Sequence, residues 1–226
     1  MLIVGETAFI GNIGDSRAIM CVDGGKRIKL LSKDHKPEED SEKSRIELGG
    51  GKVYQNQSII PDPSADNPTG TQSLSGPHRV HPGRLSVSRT IGDIEAKDKR
   101  YGGNPKVVVA DPDIISFRIK NNYDFIVLGC DGIFEKVDNQ KISSEVLKAF
   151  SCDAKPIVPS ASTVPVLNST LHSKAGDAID RILHACINEK TLDNVTAVMI
   201  GFKNLEEMCD KGYRYPGGED DLKMDE

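Results

Sequence analysis

The stretch Asp124-Phe-Ile-Val-Leu-Gly-Cys-Asp131 decides how this sequence is interpreted. Its apolar run over residues 125–129 is continuous, which is typical of a strand that is buried on both faces. Because the run leads directly into Asp131, the strand delivers a carboxylate to the edge of a sheet. A carboxylate beside a glycine at a strand end suits a hard divalent cation, which prefers oxygen ligands.

Two further acids stand at the ends of apolar segments. Asp15 follows the run over residues 9–14, and Asp193 directly precedes Asn194 and the last predicted strand. Each aspartate taken alone is also typical of a turn, in which the side chain bonds to the local backbone. The residues by themselves leave both interpretations open.

The remaining pattern predicts grouped strands and helices, which favours an α+β domain over a doubly wound one. Strands are predicted over residues 7–12, 16–22, 107–109, 114–119 and 196–202. Helices are predicted over residues 38–48, from a capping Asp138 to Ala149, and along the apolar stripe 178–187.

Two segments are predicted to be flexible. Residues 58–83 contain five prolines, three glycines and four serines, which indicates a long surface loop. Residues 151–165 contain Pro156, Pro159 and Pro165, and they are predicted to form a flexible connection.

Composition excludes several classes of protein. The 226 residues are 37% hydrophobic and 28% charged with a net charge of −5, which argues against a general nucleic-acid binder. The acidic excess lies in residues 204–226, a predicted solvated tail with eight acids against three basic residues.

No apolar run approaches the roughly 20 residues of a membrane span. Five scattered cysteines without a C-x-x-C pair indicate neither disulfides nor a zinc site, so we expect an intracellular protein of the cytoplasm or nucleus.

Taken in order, a series of short blocks resembles the metal-dependent protein serine/threonine phosphatases of type 2C. The blocks are Phe9-Ile-Gly-Asn-Ile-Gly-Asp-Ser-Arg17, Leu31-Ser-Lys-Asp-His-Lys-Pro37, Arg45-Ile46 with Gly49-Gly50, Gly83-Arg-Leu-Ser-Val-Ser-Arg-Thr-Ile-Gly-Asp93 with Lys97, Asp111-Pro112, the stretch 124–134 and Asp193-Asn-Val-Thr196. The resemblance implies a central sandwich of two antiparallel sheets flanked by helices, and a flap over about residues 34–89.

The resemblance also implies two Mn²⁺ or Mg²⁺ ions and a water between them that attacks the phosphorus of phosphoserine or phosphothreonine. It makes Asp131 and Asp193 the catalytic metal ligands, with Asn194 supporting Asp193 and the backbone of Gly132 passing close to the site. Asp15 would join Asp131 at a third metal position. Glu135 would contribute there weakly, because the family usually has an aspartate at this place.

Other parts of the family pattern are not found among the 226 residues. The resemblance covers residues 1–203, as the C-terminal two thirds of such a domain without its N-terminal strands. The arginine that holds phosphate and the Asp-Gly-His-Gly-Gly block are missing, so the substrate-binding residues stay unknown. We therefore expect a monomeric member of a phosphoprotein phosphatase family that is inactive in this form. The alternative hypothesis is a non-catalytic module that binds phosphoproteins.

Overall fold

A computed structural model describes residues 1–61, 71–154, 170–216 and 223–225 of the chain. Its strands are β1 (Leu2–Val4), β2 (Thr7–Asn12), β3 (Arg17–Val22), β4 (Arg27–Leu30), β5 (Lys52–Pro61), β6 (Thr71–His81), β7 (Asp113–Arg118), β8 (Tyr123–Gly129), β9 (Ala197–Gly201) and β10 (Lys223–Asp225). Its helices are α1 (Asp40–Leu48), α2 (Ile94–Lys97), α3 (Asp131–Phe134), α4 (Asn139–Phe150), α5 (Thr170–Asn188) and α6 (Lys203–Asp210), with a 3-10 helix over Lys99–Tyr101.

The described residues fold into two compact units. The first unit contains residues 1–12, 16–33 and those from 114 onward, and the second contains residues 13–15 and 34–113. Strands and helices are mixed and the main ladders are antiparallel, which confirms the predicted α+β class.

The first unit is built on a five-stranded sheet with the order β10-β4-β3-β8-β9. Strand β8 pairs with β3 on one side and β9 on the other, so its backbone bonds are satisfied on both edges. Six of its seven residues are buried, as the continuous apolar run predicts. The short β10 departs from the antiparallel pattern because it pairs with β4 in parallel.

Both faces of this sheet are covered within the first unit. On one face, Met20 and Ile126 pack with Ile10 of the three-stranded sheet β1-β2-β7, which produces the predicted layer of two sheets. On the other face, Phe125 packs with helices α4 and α5 through residues such as Leu147 and Ile182. Helix α4 begins as predicted, since the Asp138 side chain accepts a hydrogen bond of 2.7 Å from the Lys141 N–H.

The prediction of a long loop over residues 58–83 is wrong where the structure describes this segment. Residues 58–61 and 71–81 lie in the antiparallel hairpin of β5 and β6. Both strands belong to a two-stranded sheet, and an edge strand tolerates the prolines that a central strand excludes. Residues 62–70 lie outside the described part, as do residues 155–165 of the predicted flexible connection. The flexibility of these segments stays a prediction.

The segment 107–109 was predicted as a strand but forms only an isolated bridge between Val109 and Arg89. Its apolar character instead reflects burial, because Val107 and Val108 have no exposed surface and pack with Ile46 of α1. A short apolar run indicates that the segment is buried in the core, but it does not by itself indicate a strand that pairs in a sheet.

The prediction of a solvated tail over residues 204–226 is also wrong in part. Helix α6 occupies its beginning, and Leu205 is 1% exposed within the main core. The Asn204 side chain donates a 2.5 Å hydrogen bond to the buried Asp124 of β8, which also accepts from the Gly25 N–H at 2.8 Å. Burial raises the pKa of Asp124 against the effect of these hydrogen bonds. The acids of α6 lie on its outer side, whereas Leu205 and Asn204 attach it to the sheet.

Among the described residues, none of the helices has the length and apolar character that crossing a membrane requires.

Candidate metal site

The sheet of the first unit fixes the position of Asp131. Gly129, the last residue of β8, pairs with Arg17 of β3 and with Ala197 of β9. Two residues later Asp131 opens α3, and its carboxylate accepts a 2.9 Å hydrogen bond from the Gly132 N–H. The strand therefore delivers this carboxylate to the sheet edge, as the sequence predicts.

The second predicted ligand, Asp193, lies in the loop between α5 and β9. Its carboxylate accepts a 2.7 Å hydrogen bond from the Asn194 N–H. This loop lies directly against Gly132, because a Cβ at that position would be 2.3 Å from the Asn194 carbonyl oxygen and 3.2 Å from the Asp193 Cβ. Glycine is thus required for the two segments to meet. The structure describes Asn194 as a backbone partner of Asp193, and the support of its side chain stays a prediction.

Glu135 lies one helical turn after Asp131. The Glu135 N–H donates to the Asp131 carbonyl oxygen at 2.9 Å, which places the two side chains on one face. Each offers a carboxylate oxygen, and these two oxygens lie within 4.8 Å of each other. Asp193 does not belong to this acidic group. The structure therefore brings Asp131 and Glu135 together through side chains, and it brings Asp131 and Asp193 together through the backbone at Gly132.

Asp15 belongs to the second unit, in the short loop between β2 and β3. Its carboxylate forms an ion pair with Lys36, and the preceding Gly14 is held by His35. The Gly14 N–H donates to His35 Nδ1 at 3.1 Å, and the His35 N–H donates to the Gly14 carbonyl oxygen at 3.0 Å. The consecutive residues Gly14 and Asp15 are therefore held by the consecutive residues His35 and Lys36, all within the second unit.

A buried polar network behind His35 was not predicted from the sequence. His35 Nε2 lies 3.1 Å from the Asp113 carboxylate, which also accepts a 2.8 Å hydrogen bond from Arg89. Burial opposes ionisation of Asp113, but His35 and Arg89 lower its pKa below the ordinary value. Since His35 Nδ1 accepts from a backbone N–H, its proton resides on Nε2 and points to Asp113.

Glu42 is the centre of the same network. It is 2% exposed, and it accepts hydrogen bonds from Arg45, Ser88 and Arg89. Burial raises its pKa, but these donors outweigh burial and hold the pKa at about 2. The sequence shows Glu42 only as one of several acids in the helix predicted over residues 38–48, with no indication of its partners.

The donor set suits a hard divalent cation. Asp131, Glu135 and Asp193 offer carboxylate oxygens, which Mg²⁺ and Mn²⁺ prefer. The neighbouring thiol of Cys130 lies 3.1 Å from the Asn194 carbonyl oxygen and 3.2 Å from the Thr196 nitrogen, so its contacts are to the backbone. This arrangement does not resemble the cysteine and histidine ligand sets of structural zinc sites.

Comparison with known proteins identifies the family to which this chain is similar. A family model described as Protein phosphatase 2C matches residues 1–195. Probable protein phosphatase 2C 5 of Paramecium tetraurelia is 37% identical over 142 residues, which cover 62% of this chain and 40% of that protein. Probable protein phosphatase 2C 6 of the same organism is 32% identical over 204 residues, which cover 89% of this chain and 56% of that protein.

A solved structure shows the same similarity in three dimensions. The crystal structure of a phosphatase from a pathogenic strain of Toxoplasma gondii matches with a TM-score of 0.59 and 26% identity, covering 88% of this chain and 49% of that chain. This chain thus spans about half the length of the relatives that it matches. Members of this family are serine/threonine phosphatases, and the family is metal-dependent. With the family model matching most of its residues, this chain belongs to the protein phosphatase 2C family.

Proposed function

We propose that the protein of which these residues form part hydrolyses phosphoserine and phosphothreonine in proteins with the help of Mn²⁺ or Mg²⁺. The observation that carries this proposal is the pairing of the Asp131 and Glu135 carboxylates beside the loop of Asp193, in a chain of the protein phosphatase 2C family. Hard divalent cations prefer carboxylate oxygens that lie close together, so the arrangement favours metal binding.

Asp131 and Asp193 are the proposed principal ligands, and Glu135 and Asp15 the proposed ligands of a further ion. The proposal for Asp15 rests on the resemblance of its block over residues 9–17 to the family pattern.

The residues of this chain would orient the metal ligands and limit their movement. The N–H groups of Gly132 and Asn194 each hold one carboxylate oxygen of the preceding aspartate, which fixes the direction of both side chains. When bound, two divalent cations lower the pKa of a water and stabilise negative charge on a phosphate. No phosphorylated residue of this chain is required by this proposal.

Metal binding is testable by titrating the 226-residue chain with Mn²⁺ in a calorimeter. We expect binding that Asp131→Asn and Asp193→Asn each weaken strongly, because each removes a charged ligand. Asp210→Asn is the matched control, since Asp210 is an exposed residue at the end of α6. Tight Zn²⁺ binding without a response to Mn²⁺ would contradict the proposal, and so would unchanged Mn²⁺ binding by both ligand variants.

We further propose that this 226-residue chain alone turns over phosphopeptides slowly. Two principal carboxylates leave most of a six-coordinate shell to water, which weakens affinity. A phosphopeptide assay in Mn²⁺ tests this, with full-length Probable protein phosphatase 2C 6 of Paramecium tetraurelia assayed alongside for comparison. Turnover at a comparable rate that disappears in Asp131→Asn would show that the acids of this chain suffice. Phosphopeptide binding without turnover by a longer form of the protein would favour the non-catalytic binding module.

We also infer that the chain is monomeric and acts on phosphoproteins in the cytoplasm or nucleus. The five cysteines all lie in the described residues and all are free, which agrees with a reducing compartment. Light scattering after size-exclusion chromatography tests the oligomeric state. Imaging of a fluorescent fusion in the source cells tests the compartment.

A further inference from the structure

We propose that Cys130 and Thr191 are positioning residues that hold the loop of Asp193 against the turn of Asp131. This inference rests on the proposed function, because it assigns these two side chains to the same metal site. Neither residue is a proposed metal ligand. Their contacts cross between the two segments that carry the principal ligands.

Cys130 contacts the backbone on both sides of Val195. Its thiol lies 3.1 Å from the Asn194 carbonyl oxygen and 3.2 Å from the Thr196 nitrogen. Its backbone N–H also donates to the Thr196 carbonyl oxygen at 3.2 Å. A thiol is both a weak donor and a weak acceptor. The Cys130 thiol therefore donates to the Asn194 carbonyl oxygen and accepts from the Thr196 N–H. The residue before Asp131 is thereby attached to the residues after Asp193.

Thr191 makes the reciprocal contact from the other segment. Its hydroxyl donates a 2.9 Å hydrogen bond to the carbonyl oxygen of Gly132, the residue after Asp131. The same hydroxyl lies 3.5 Å from the Asp193 nitrogen. The Thr191 N–H donates to the Cys186 carbonyl oxygen at 3.1 Å, which anchors Thr191 to α5. The hydroxyl therefore connects an anchored helix end to the Asp131 turn.

Together the two side chains link the Asp131 and Asp193 segments on both sides of the proposed ligands. Cys130 precedes Asp131 and contacts the segment after Asp193, whereas Thr191 precedes Asp193 and contacts the segment after Asp131. Because Gly132 has no Cβ, the two segments approach closely enough for both contacts. Because ligands held in place before binding lose less freedom on binding, these contacts should raise the affinity for the metal.

The experiment measures the Mn²⁺ affinity of the 226-residue chain by calorimetry and the coordination of bound Mn²⁺ by its electron paramagnetic resonance spectrum. Thr191→Val removes the hydroxyl at nearly constant volume, and Thr191→Ser restores it. Cys130→Ala removes the thiol, and Cys130→Ser replaces it by a shorter donor and acceptor. Thr7→Val on β2 and Cys152→Ala at an exposed site are the matched controls.

Partners behind metal ligands typically contribute 10–100-fold to affinity, so we expect Thr191→Val and Cys130→Ala each to weaken Mn²⁺ binding about 10-fold. Thr191→Ser should retain wild-type affinity, and Cys130→Ser should lie between Cys130→Ala and the wild type. Both weakened variants should change the Mn²⁺ spectrum. Both controls should behave as the wild type.

Thermal unfolding in a chelator shows which variants fold. If Thr191→Val does not fold, Cys130→Ala and its rescue by Cys130→Ser decide the question. Suppose that folded Thr191→Val and Cys130→Ala keep the wild-type affinity and spectrum, while Asp131→Asn and Asp193→Asn lose the metal. This result would overturn the inference and leave the proposed function intact. Unchanged binding in the two aspartate variants would instead overturn the proposed function and this inference together.

Discussion

The carbonyl oxygen of Asn194 occupies the space in which a side chain on Gly132 would begin. A Cβ at Gly132 would lie 2.3 Å from that oxygen, far inside a van der Waals contact. The obstacle is backbone, so it cannot move aside as the end of a flexible side chain could. The approach of the Asp131 turn to the Asp193 loop therefore depends on the absence of one methyl group.

We predict that Gly132→Ala separates the two segments and weakens Mn²⁺ binding at least about 10-fold, a loss typical of displaced support around a metal ligand. It should also lower the unfolding free energy by about 1–3 kcal/mol, the usual effect of overpacking. Calorimetric titration and urea unfolding measure the two effects.

Gly176→Ala provides the control for this substitution. Gly176 lies in α5, and nothing within 4 Å would meet its Cβ. Replacing a helical glycine by alanine stabilises a helix by about 0.5–1 kcal/mol, so this variant should be slightly more stable than the wild type with unchanged Mn²⁺ binding. Equal behaviour of the two alanine variants would show that the close approach at Gly132 has no functional importance.

Glu42 should make a pH-dependent contribution to stability. Its pKa falls from the ordinary 4.5 to about 2 in the folded chain, which corresponds to about 3 kcal/mol of unfolding free energy. Because the folded pKa is the lower one, this contribution is fully present above pH 4.5 and is lost as the pH falls toward 2. Glu42→Gln should therefore be less stable than the wild type at neutral pH, with the difference decreasing through this acid range.

Urea unfolding of both proteins at several pH values measures this difference. Glu47→Gln is the matched control, because Glu47 is an exposed residue of the same helix α1. It should leave the unfolding free energy unchanged within about 0.5 kcal/mol, as is usual for surface substitutions. A difference between Glu42→Gln and the wild type that is constant with pH would mean that the ionised carboxylate is not the source of the stability.

Short patterns of consecutive residues predict the strands and helices that position Asp131 and Asp193. The apolar run before Asp131 identifies β8 because a strand with neighbours on both edges is buried on both faces. Asp138 identifies the start of α4 because its side chain bonds within the same turn. Such signals are contained in a few consecutive residues, so a single sequence suffices to find them.

Contacts between distant residues could not be predicted in this way. The partners of Glu42 lie up to 47 positions away, and the contact of Thr191 with Gly132 spans 59 positions. The proline and glycine residues around Pro77 predict a loop, whereas the structure accommodates them in a two-stranded hairpin with a shift of register between Gln55 and Gln57. The acidic composition after Asn204 likewise conceals Leu205, which enters the core.

That residue gives the final prediction. Leu205 of α6 is 1% exposed and packs in the main core of the first unit, although eight acids follow it in the sequence up to residue 226. Leu205→Ala should lower the unfolding free energy by about 2–5 kcal/mol, because it removes buried methyl groups and leaves a cavity. Leu192→Ala is the matched control, since Leu192 is 100% exposed and should cost less than about 0.5 kcal/mol. Urea unfolding distinguishes the two variants, and equal stability would restore the interpretation of this segment as a solvated tail.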